Sequence, residues 1–260
     1  MRRPYYLLNP NLTALNYRSA EGDSKYNSLQ ARFDKRLSTN INFGVSYTWA
    51  SWLADVGEPN SGGNGNIQDV RCLKCDYGPP PTGFRHSLTV NHVFQLPFGR
   101  GRTYLRSGFV SYLVGPWNLS GIWRAHTGDN FTVFYASNVS NSSGGGSQRP
   151  NRIASGKLSS GQDINHWFDT TAFVAPAIYT FGNSGTGILT GPGSLNVDLA
   201  LERHFPIHDR FDLNFRAEAF NAFNRANFGD PAANIGNSNA GVISSTAAPR
   251  VMQMALKLRF

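Results

Sequence analysis

The chain has 260 residues, of which 40% are hydrophobic and 13% aromatic, while only 15% are charged, against roughly 25% in ordinary soluble domains. Basic residues exceed acidic ones by a net charge of +8. This hydrophobic content excludes a wholly disordered chain. No apolar window reaches the length of about 18 residues that a transmembrane helix needs, although membrane-spanning β-strands are not excluded.

The N-terminus does not match a signal peptide. It carries two arginines, but Pro4 and Pro10, with the neighbouring asparagines, interrupt the apolar stretch that an export signal requires. We therefore expect either a cytosolic protein or a fragment whose export signal lies upstream.

Alternation of apolar and polar residues, the pattern of strands with two different faces, recurs along the chain. The predicted strands lie within 12–18, 28–37, 41–50, 86–96, 117–125, 197–205, 211–217 and 252–260. Turns at 38–40 and 206–209 predict two hairpins, and the Gly- and Pro-bounded connector 97–116 has room for one short helix.

The connections between these strands differ in length in a regular way. The short or moderate connections are 38–40, 98–116 and 206–209, and the long ones, rich in Gly, Ser, Asn and Pro, are 51–84, 128–195 and 224–248. Because successive antiparallel strands point in opposite directions, the short connections fall at one end of the sheet and the long loops at the other. Outer-membrane barrels have this asymmetry, with short periplasmic turns and long external loops.

Alternation alone leaves open whether the apolar face meets a protein core or lipid, and a soluble β-sandwich or lipocalin-like barrel is the alternative. Aromatic residues near both strand ends favour a membrane protein. Trp49 and Trp52 lie towards the long loops, and the short-turn end has Phe98, Trp117, Phe205, Phe211 and Phe260. Basic residues also gather at the short-turn end and predict a polar collar rather than a nucleic-acid surface: Lys35, Arg36, Arg100, Arg102, Arg106, Arg203, Arg210, Lys257 and Arg259.

The polar face of the strands is expected to line a lumen. Its candidate residues are Gln30, Arg32, Asp34, Arg124, Asp198, Glu202, Asp212, Arg216 and Glu218. An eight-stranded barrel has little interior beyond its own side chains, whereas barrels of about 16 to 22 strands enclose a channel or a plugged lumen. The predicted fold is therefore all-β, an antiparallel transmembrane barrel segment with about eight strands of a larger barrel.

Several ordered blocks of the sequence resemble the C-terminal barrel of Oar-like TonB-dependent transporters, a large, often acidobacterial group with a carboxypeptidase-regulatory-like domain. The blocks are YNSLQARFDKRLSTNINFGVSYTWA (26–50), RHSLTVNHVFQLPFGRGR (85–102), GPWNLSGIWRAHTGDNFTV (115–133), WFDTTAFVAP (167–176), YTFGNSGTGILTGPGSLNVDLALERHFPI (179–207), FRAEAFNAFNRANFGDP (215–231) and PRVMQMALKLRF (249–260). The resemblance implies a plugged barrel of about 22 strands. Residues 1–260 are then its C-terminal part, without signal peptide, plug or TonB-contact segment, and Phe260 matches the signal that the barrel-assembly machinery reads.

Other chemistry is less well supported. For Cys72 and Cys75 we favour a small loop disulfide, with free thiols or a metal site as alternatives. His204 and His208 are separated by Pro206, which argues against a shared metal. Pairing Glu202 with Glu218, or Asp198 with Asp212, fits a lumen wall better than a glycosidase.

The function predicted from the sequence is transport rather than catalysis, with no cofactor and no resident metal. The expected partners are outer-membrane lipid, the barrel-assembly machinery, TonB acting through an N-terminal part, and a substrate that the sequence does not identify. The alternative function is that of a soluble β-sheet module that binds glycans.

Overall fold

The computed structural model describes residues 20–38, 40–55, 67–69, 71–81, 83–99, 102, 104–105, 107–140, 148–208 and 211–260. Its strands are β1 (Ser24–Ser38), β2 (Ile41–Ala54), β3 (His86–Gln95), β4 (Asn118–His126), β5 (Asn130–Phe131), β6 (Phe134–Tyr135), β7 (Asn151–Arg152), β8 (Phe173–Val174), β9 (Leu189–Thr190), β10 (Ser194–His208), β11 (Phe211–Phe220), β12 (Asn234–Ile235) and β13 (Val251–Arg259). The helices are η1 (Leu73–Asp76), α1 (Phe109–Leu113) and η2 (Thr170–Ala172). None of the helices among these residues is long and apolar enough to cross a membrane.

Seven of these strands form one sheet within the described residues, in the order β1-β2-β3-β4-β10-β11-β13. Every pair of neighbours in it is antiparallel. The all-β, antiparallel prediction is therefore confirmed, because each alternating run from residue 28 onward corresponds to one of these strands. The predicted strand within 12–18 lies outside the described residues. In the described part β1 and β13 are edge strands, and the sheet does not close into a barrel.

The predicted turn at 206–209 is wrong. Strand β10 continues through Pro206 to His208, and β11 begins at Phe211. Pro206 stays opposite Asp212, and the register shifts between Pro206 and His208. Proline has no N–H to give to the ladder, so its place at such an irregularity follows from its chemistry.

The lengths and positions of the connections confirm the predicted asymmetry. Three long connections leave and rejoin the sheet at the same end: the first is 55–85, the second 127–193 and the third 221–250. At the opposite end are the turns between β1 and β2 and between β10 and β11, together with the connector 96–117 between β3 and β4. The connector contains α1, the short helix that its composition allowed.

The hydrophobic cluster of the described residues lies in the long loops, and on the sheet Ala54 and Val197 are also buried. Phe168 packs between Phe131 and Phe173, with ring centroids 5.6 and 6.0 Å apart. The buried cluster consists of Phe131, Val133, Phe168, Ala172, Phe173, Leu189 and Ile235. Three two-stranded pairs support it: β5 with β9, β7 with β8, and β6 with β12, which joins the second loop to the third. We call the described residues of the three long loops the loop cluster.

Candidate functional site

All nine predicted lumen residues lie on one face of the sheet, which we call the polar face. The pairing register shows this directly, because it aligns residues that share a face across neighbouring strands. One row runs from Arg32 through Ser46 and Thr89 to Arg124 and Asn196. The predicted members of the polar face are Gln30, Arg32 and Asp34 on β1, Arg124 on β4, Asp198 and Glu202 on β10, and Asp212, Arg216 and Glu218 on β11.

Charges on the polar face are paired with one another near the long loops. The Arg124 guanidinium donates to Asp198 Oδ2 at 2.8 Å. The other oxygen of Asp198 accepts from the Asn196 side chain at 2.8 Å and from the Asn221 backbone N–H at 3.0 Å. On β1, Arg32 Nε donates to Asp34 Oδ2 at 2.6 Å. The polar face therefore presents local ion pairs and not a block of positive charge.

A second network lies on the polar face nearer the short-turn end of the sheet. Arg216 pairs with Glu218, and its guanidinium also lies 3.8 Å from Glu202. The Asn214 side chain donates to Glu202 at 2.8 Å, and Gln253 donates to the free oxygen of Glu218. This network joins β10, β11 and β13 across the sheet.

His204 belongs to the same network, although the sequence analysis considered it only together with His208, as a metal pair that Pro206 argues against. Its ring nitrogens lie 3.1 Å from Asp212 Oδ2 and 3.4 Å from Glu202 Oε1. The signal was present in the sequence, because residues 198, 202 and 204 have the same parity along one strand. Asn196 and Asn214 also have the parity of the polar-face residues on their strands, and they too were not predicted.

Gly44 leaves space on the polar face for side chains from the two neighbouring strands. A Cβ at this position would lie 2.6 Å from Asp34 Oδ1 and would also clash with the Asn91 side chain. Asp34 and Asn91 therefore converge over the glycine from the two neighbouring strands.

The opposite side of the sheet, which we call the apolar face, carries the other set of alternating residues. One of its rows runs from Phe33 through Val45 and Val90 to Trp123 and Val197. Large side chains on this face are most exposed on the edge strands, with Leu29 at 61% and Met254 at 71%, and the row becomes buried at Val197 on β10. Exposed apolar rows opposite a charged face are the pattern of a wall between lipid and water.

The predicted aromatic girdle at the long-loop end is wrong in one member. Trp49 pairs with Leu29 on the apolar face, but Trp52 is opposite Tyr26 and shares the polar face with it. A hydrogen bond of 2.9 Å from Trp52 Nε1 to Ser24 Oγ fixes this orientation. Three positions separate Trp49 from Trp52, and an odd separation places two strand residues on opposite faces.

The predicted basic collar also needs a correction at Arg203. This residue is 4% exposed and lies on the apolar face. Its guanidinium carbon is 4.1 Å from the Phe205 ring centroid and 5.5 Å from that of Trp117. Aromatic faces attract a guanidinium, so these rings hold the charge beneath the connector and away from the surface.

A buried ion pair joins the first long loop to the second. Arg149 and Asp76 are in contact, and their side chains are only 2% and 4% exposed. Arg149 also donates to Thr186 Oγ1 at 2.9 Å and to the Cys75 carbonyl at 3.3 Å. Burial raises the pKa of Asp76 above its ordinary value, and the Arg149 guanidinium acts in the opposite direction. Sequence analysis missed this pair because its members are far apart in the chain.

The segment around Asp76 is also held by a disulfide and by a glutamine. Cys72 and Cys75 are bonded to each other, the arrangement that the sequence favoured. Gln68 accepts from the Arg149 backbone N–H at 2.7 Å and donates to the Gly182 carbonyl at 2.9 Å. The first and second loops are thus connected by both charged and neutral hydrogen bonds.

Two carboxylates meet where the second and third loops approach each other. Desolvation raises the pKa of Asp129, against the opposing effects of the Gly83 backbone N–H and His126. Desolvation and the Asp129 charge raise the pKa of Asp230, whose carboxylate packs against Gly191. Because the pKa of each carboxyl group is raised in the folded state, its contribution to the stability of the fold is fully present below the unfolded pKa. That contribution is lost as the pH rises through the folded pKa.

We therefore expect Asp230→Asn to make the loop cluster more stable at neutral pH, because it removes one of two neighbouring charges. The gain should shrink as the pH falls through the raised pKa values of these carboxyl groups, because the wild-type side chains then become protonated. Hydrogen exchange of residues 189–191 at several pH values measures it, with Asp163→Asn as the control. Equal exchange of variant and wild type at neutral pH would contradict the expectation.

The described residues contain no group of three or more His, Cys, Asp or Glu side chains positioned to hold a metal ion. His204 lies near two carboxylates, Asp212 and Glu202, and Glu202 is also close to Arg216 and accepts a hydrogen bond from Asn214. What the polar face offers is a hydrophilic surface of fixed ion pairs, amides and hydroxyl groups.

An antiparallel sheet with one apolar face, one charged face and all its long loops at one end defines the wall of an outer-membrane β-barrel. The comparison with protein families agrees. This chain belongs to the family described as outer membrane beta barrel domain, which matches residues 1–253, and the protein is accordingly located in the outer membrane. Searches of curated proteins and of solved structures found no match.

Proposed function

We propose that the chain is the C-terminal arc of an Oar-like, TonB-dependent transporter and that it acts in substrate uptake without catalysis. The observation that carries this proposal is the polar face, on which charged side chains from four strands form ion-paired networks opposite an apolar face. Such a face needs water in front of it. A closed barrel of about eight strands has no room for that water, whereas a barrel of about 22 strands has.

The directions of the edge strands require at least one further strand beyond the seven described ones. Within the described sheet, β1 and β13 are first and seventh, so both run from the long-loop end to the short-turn end. Closing the sheet on itself would make a parallel pair, which the antiparallel pattern of outer-membrane barrels does not contain. Strands of opposite direction must therefore border both edges, and an even-numbered barrel supplies an odd number of further strands between them.

A second copy of the chain does not meet this requirement. Pairing β13 with β13 of another copy is antiparallel only if a two-fold axis relates the copies, and this would place their long loops on opposite sides of the membrane. We therefore propose that the strands next to β1 and β13 have a different sequence from this chain's strands and belong to the same barrel. Phe260, 96% exposed beside the β13 edge, is the residue we assign to recognition by the barrel-assembly machinery.

The substrate path is proposed to follow the polar face and the long loops 51–84 and 128–195. Arg32, Arg124 and Arg216 lie along it, each beside a carboxylate. Ion pairs of this kind present both donors and acceptors to a passing solute. Uptake of labelled solutes from a defined mixture, compared between cells with and without TonB, tests transport by the full-length protein, and identical uptake would oppose it.

A pair of neighbouring residues on β2 distinguishes the membrane wall from the alternative, a soluble glycan-binding module. Ser46 lies on the polar face and Val45 on the apolar face. We expect a spin label on Ser46→Cys to collide with a water-soluble nickel chelate, and one on Val45→Cys to collide with oxygen dissolved in lipid. The chain's two cysteines form a disulfide and leave the label specific. Equal access of both labels to the chelate would favour the soluble module.

A further inference from the structure

The connector 96–117 carries an exposed group of large apolar side chains. Tyr104 is 58% exposed, Leu105 51%, Phe109 77% and Val110 54%. We call these four residues the connector patch. They lie at the short-turn end of the sheet, and neither the polar-face networks nor the loop cluster includes them.

The base of the connector rests on the apolar face. The Trp117 ring makes edge contacts with Phe205 and Phe215, at centroid distances of 6.3 and 5.9 Å. Gly115 covers Arg203 so closely that a Cβ there would lie 2.6 Å from its guanidinium nitrogen. The chain therefore leaves the sheet on the side that faces lipid.

Several contacts fix the shape of the connector. Gly99 N–H donates to the Tyr104 carbonyl and Tyr104 N–H to the Pro97 carbonyl, both at 3.0 Å. The Phe98 and Tyr104 rings are 6.1 Å apart. Arg102 donates to Asn40 Oδ1 at 3.0 Å, which ties the connector to the turn between β1 and β2. Tyr104 and Arg102 are thus held beside the rim of the sheet.

We propose that the connector patch is an interfacial anchor, seated among the phospholipid head groups of the leaflet at the short-turn end. Its surface continues the apolar face through Phe98, which is 37% exposed, and through Trp117. Tyrosine, phenylalanine and arginine side chains together suit this zone, because it offers both hydrocarbon and water. The anchor fixes the depth of this rim in the bilayer, and it stands whether or not the barrel transports a solute.

A spin label at Phe109→Cys tests the anchor in the full-length protein, reconstituted into vesicles of phosphatidylethanolamine and phosphatidylglycerol. Val45→Cys and Ser46→Cys are the lipid and water references. We expect the ratio of oxygen to nickel-chelate collisions at residue 109 to be several-fold above that at residue 46. A label as accessible to the chelate as the one at residue 46 would overturn the anchor. Shielding from both reagents would also overturn it, because a protein partner would then cover the patch.

A second measurement covers the case in which the label disturbs the connector. The Phe109→Ser/Val110→Ser variant should retain the heat-modifiable gel mobility of a folded barrel, since neither side chain belongs to the sheet. Its melting temperature should fall in vesicles and stay unchanged in detergent, where micelles adapt to the altered surface. Equal shifts in both media would show that the patch only stabilises the connector itself, and would contradict the anchor.

Discussion

Replacing Arg149 by methionine is expected to destabilise the junction between the first and second long loops by about 3–5 kcal/mol, because it leaves the Asp76 carboxylate buried without its partner. The expected readout is a rise in backbone hydrogen exchange of residues 67–81 and 148–152, between about a hundredfold and a few thousandfold. Arg149 also bonds Thr186 and the Cys75 carbonyl, so those groups lose their donor as well.

Two further variants make this result interpretable. Arg71→Met removes an exposed ion pair with Asp69 in the same loop and should leave the exchange unchanged. Asp76→Leu combined with Arg149→Met removes both buried charges and should recover most of the lost protection. If Arg149→Met exchanged at the rate of Arg71→Met, the buried pair would not be holding the loops together.

Val90→Arg is expected to prevent most of the protein from reaching its folded, heat-modifiable form. Val90 lies in the middle of the apolar face between Val45 and Trp123. An arginine facing lipid near the middle of a bilayer costs about 2–4 kcal/mol, a large fraction of the stability of a typical domain. The folded fraction of the full-length protein, measured by gel mobility after refolding into vesicles, gives the result.

The neighbouring residue is the matched control for this experiment. Asn91 lies on the polar face and converges with Asp34 over Gly44, so an arginine at position 91 gains a carboxylate partner. We expect Asn91→Arg to fold nearly as well as the wild type. Equal losses in the two variants would mean that the two faces of β3 do not meet different solvents.

Most of the sheet was predictable from sequence because alternation is a local property. A strand with lipid on one side and water on the other must change polarity at every residue, and short windows record this directly. The alternating runs underestimated β1, whose first residues include Lys25 and Asn27 on the apolar face, and β10, which continues past Pro206. The same locality explains the error at Trp52, where nearness to a strand end was considered without its parity.

The loop cluster was not predictable in the same way. Its core brings together Phe131, Phe173 and Ile235 from short strands of two residues each, too short to show any periodicity. The Arg149–Asp76 pair depends on a contact between two loops. The Gly, Ser and Asn content of these loops predicts irregular structure but not which residues meet. The disulfide between Cys72 and Cys75 was accessible to sequence reasoning, since three positions separate the two residues.

The pairing of β6 with β12 has a consequence for the order of events during assembly. These strands flank β10 and β11 in the chain, so the pairing of Ile235 with Tyr135 closes a stretch of chain that contains that hairpin. Contacts that close a long stretch of chain form late, because the entropy of closure is paid before they contribute. Closure of the loop cluster therefore follows formation of the β10–β11 hairpin, and its resistance to external protease reports that this hairpin has been inserted in register.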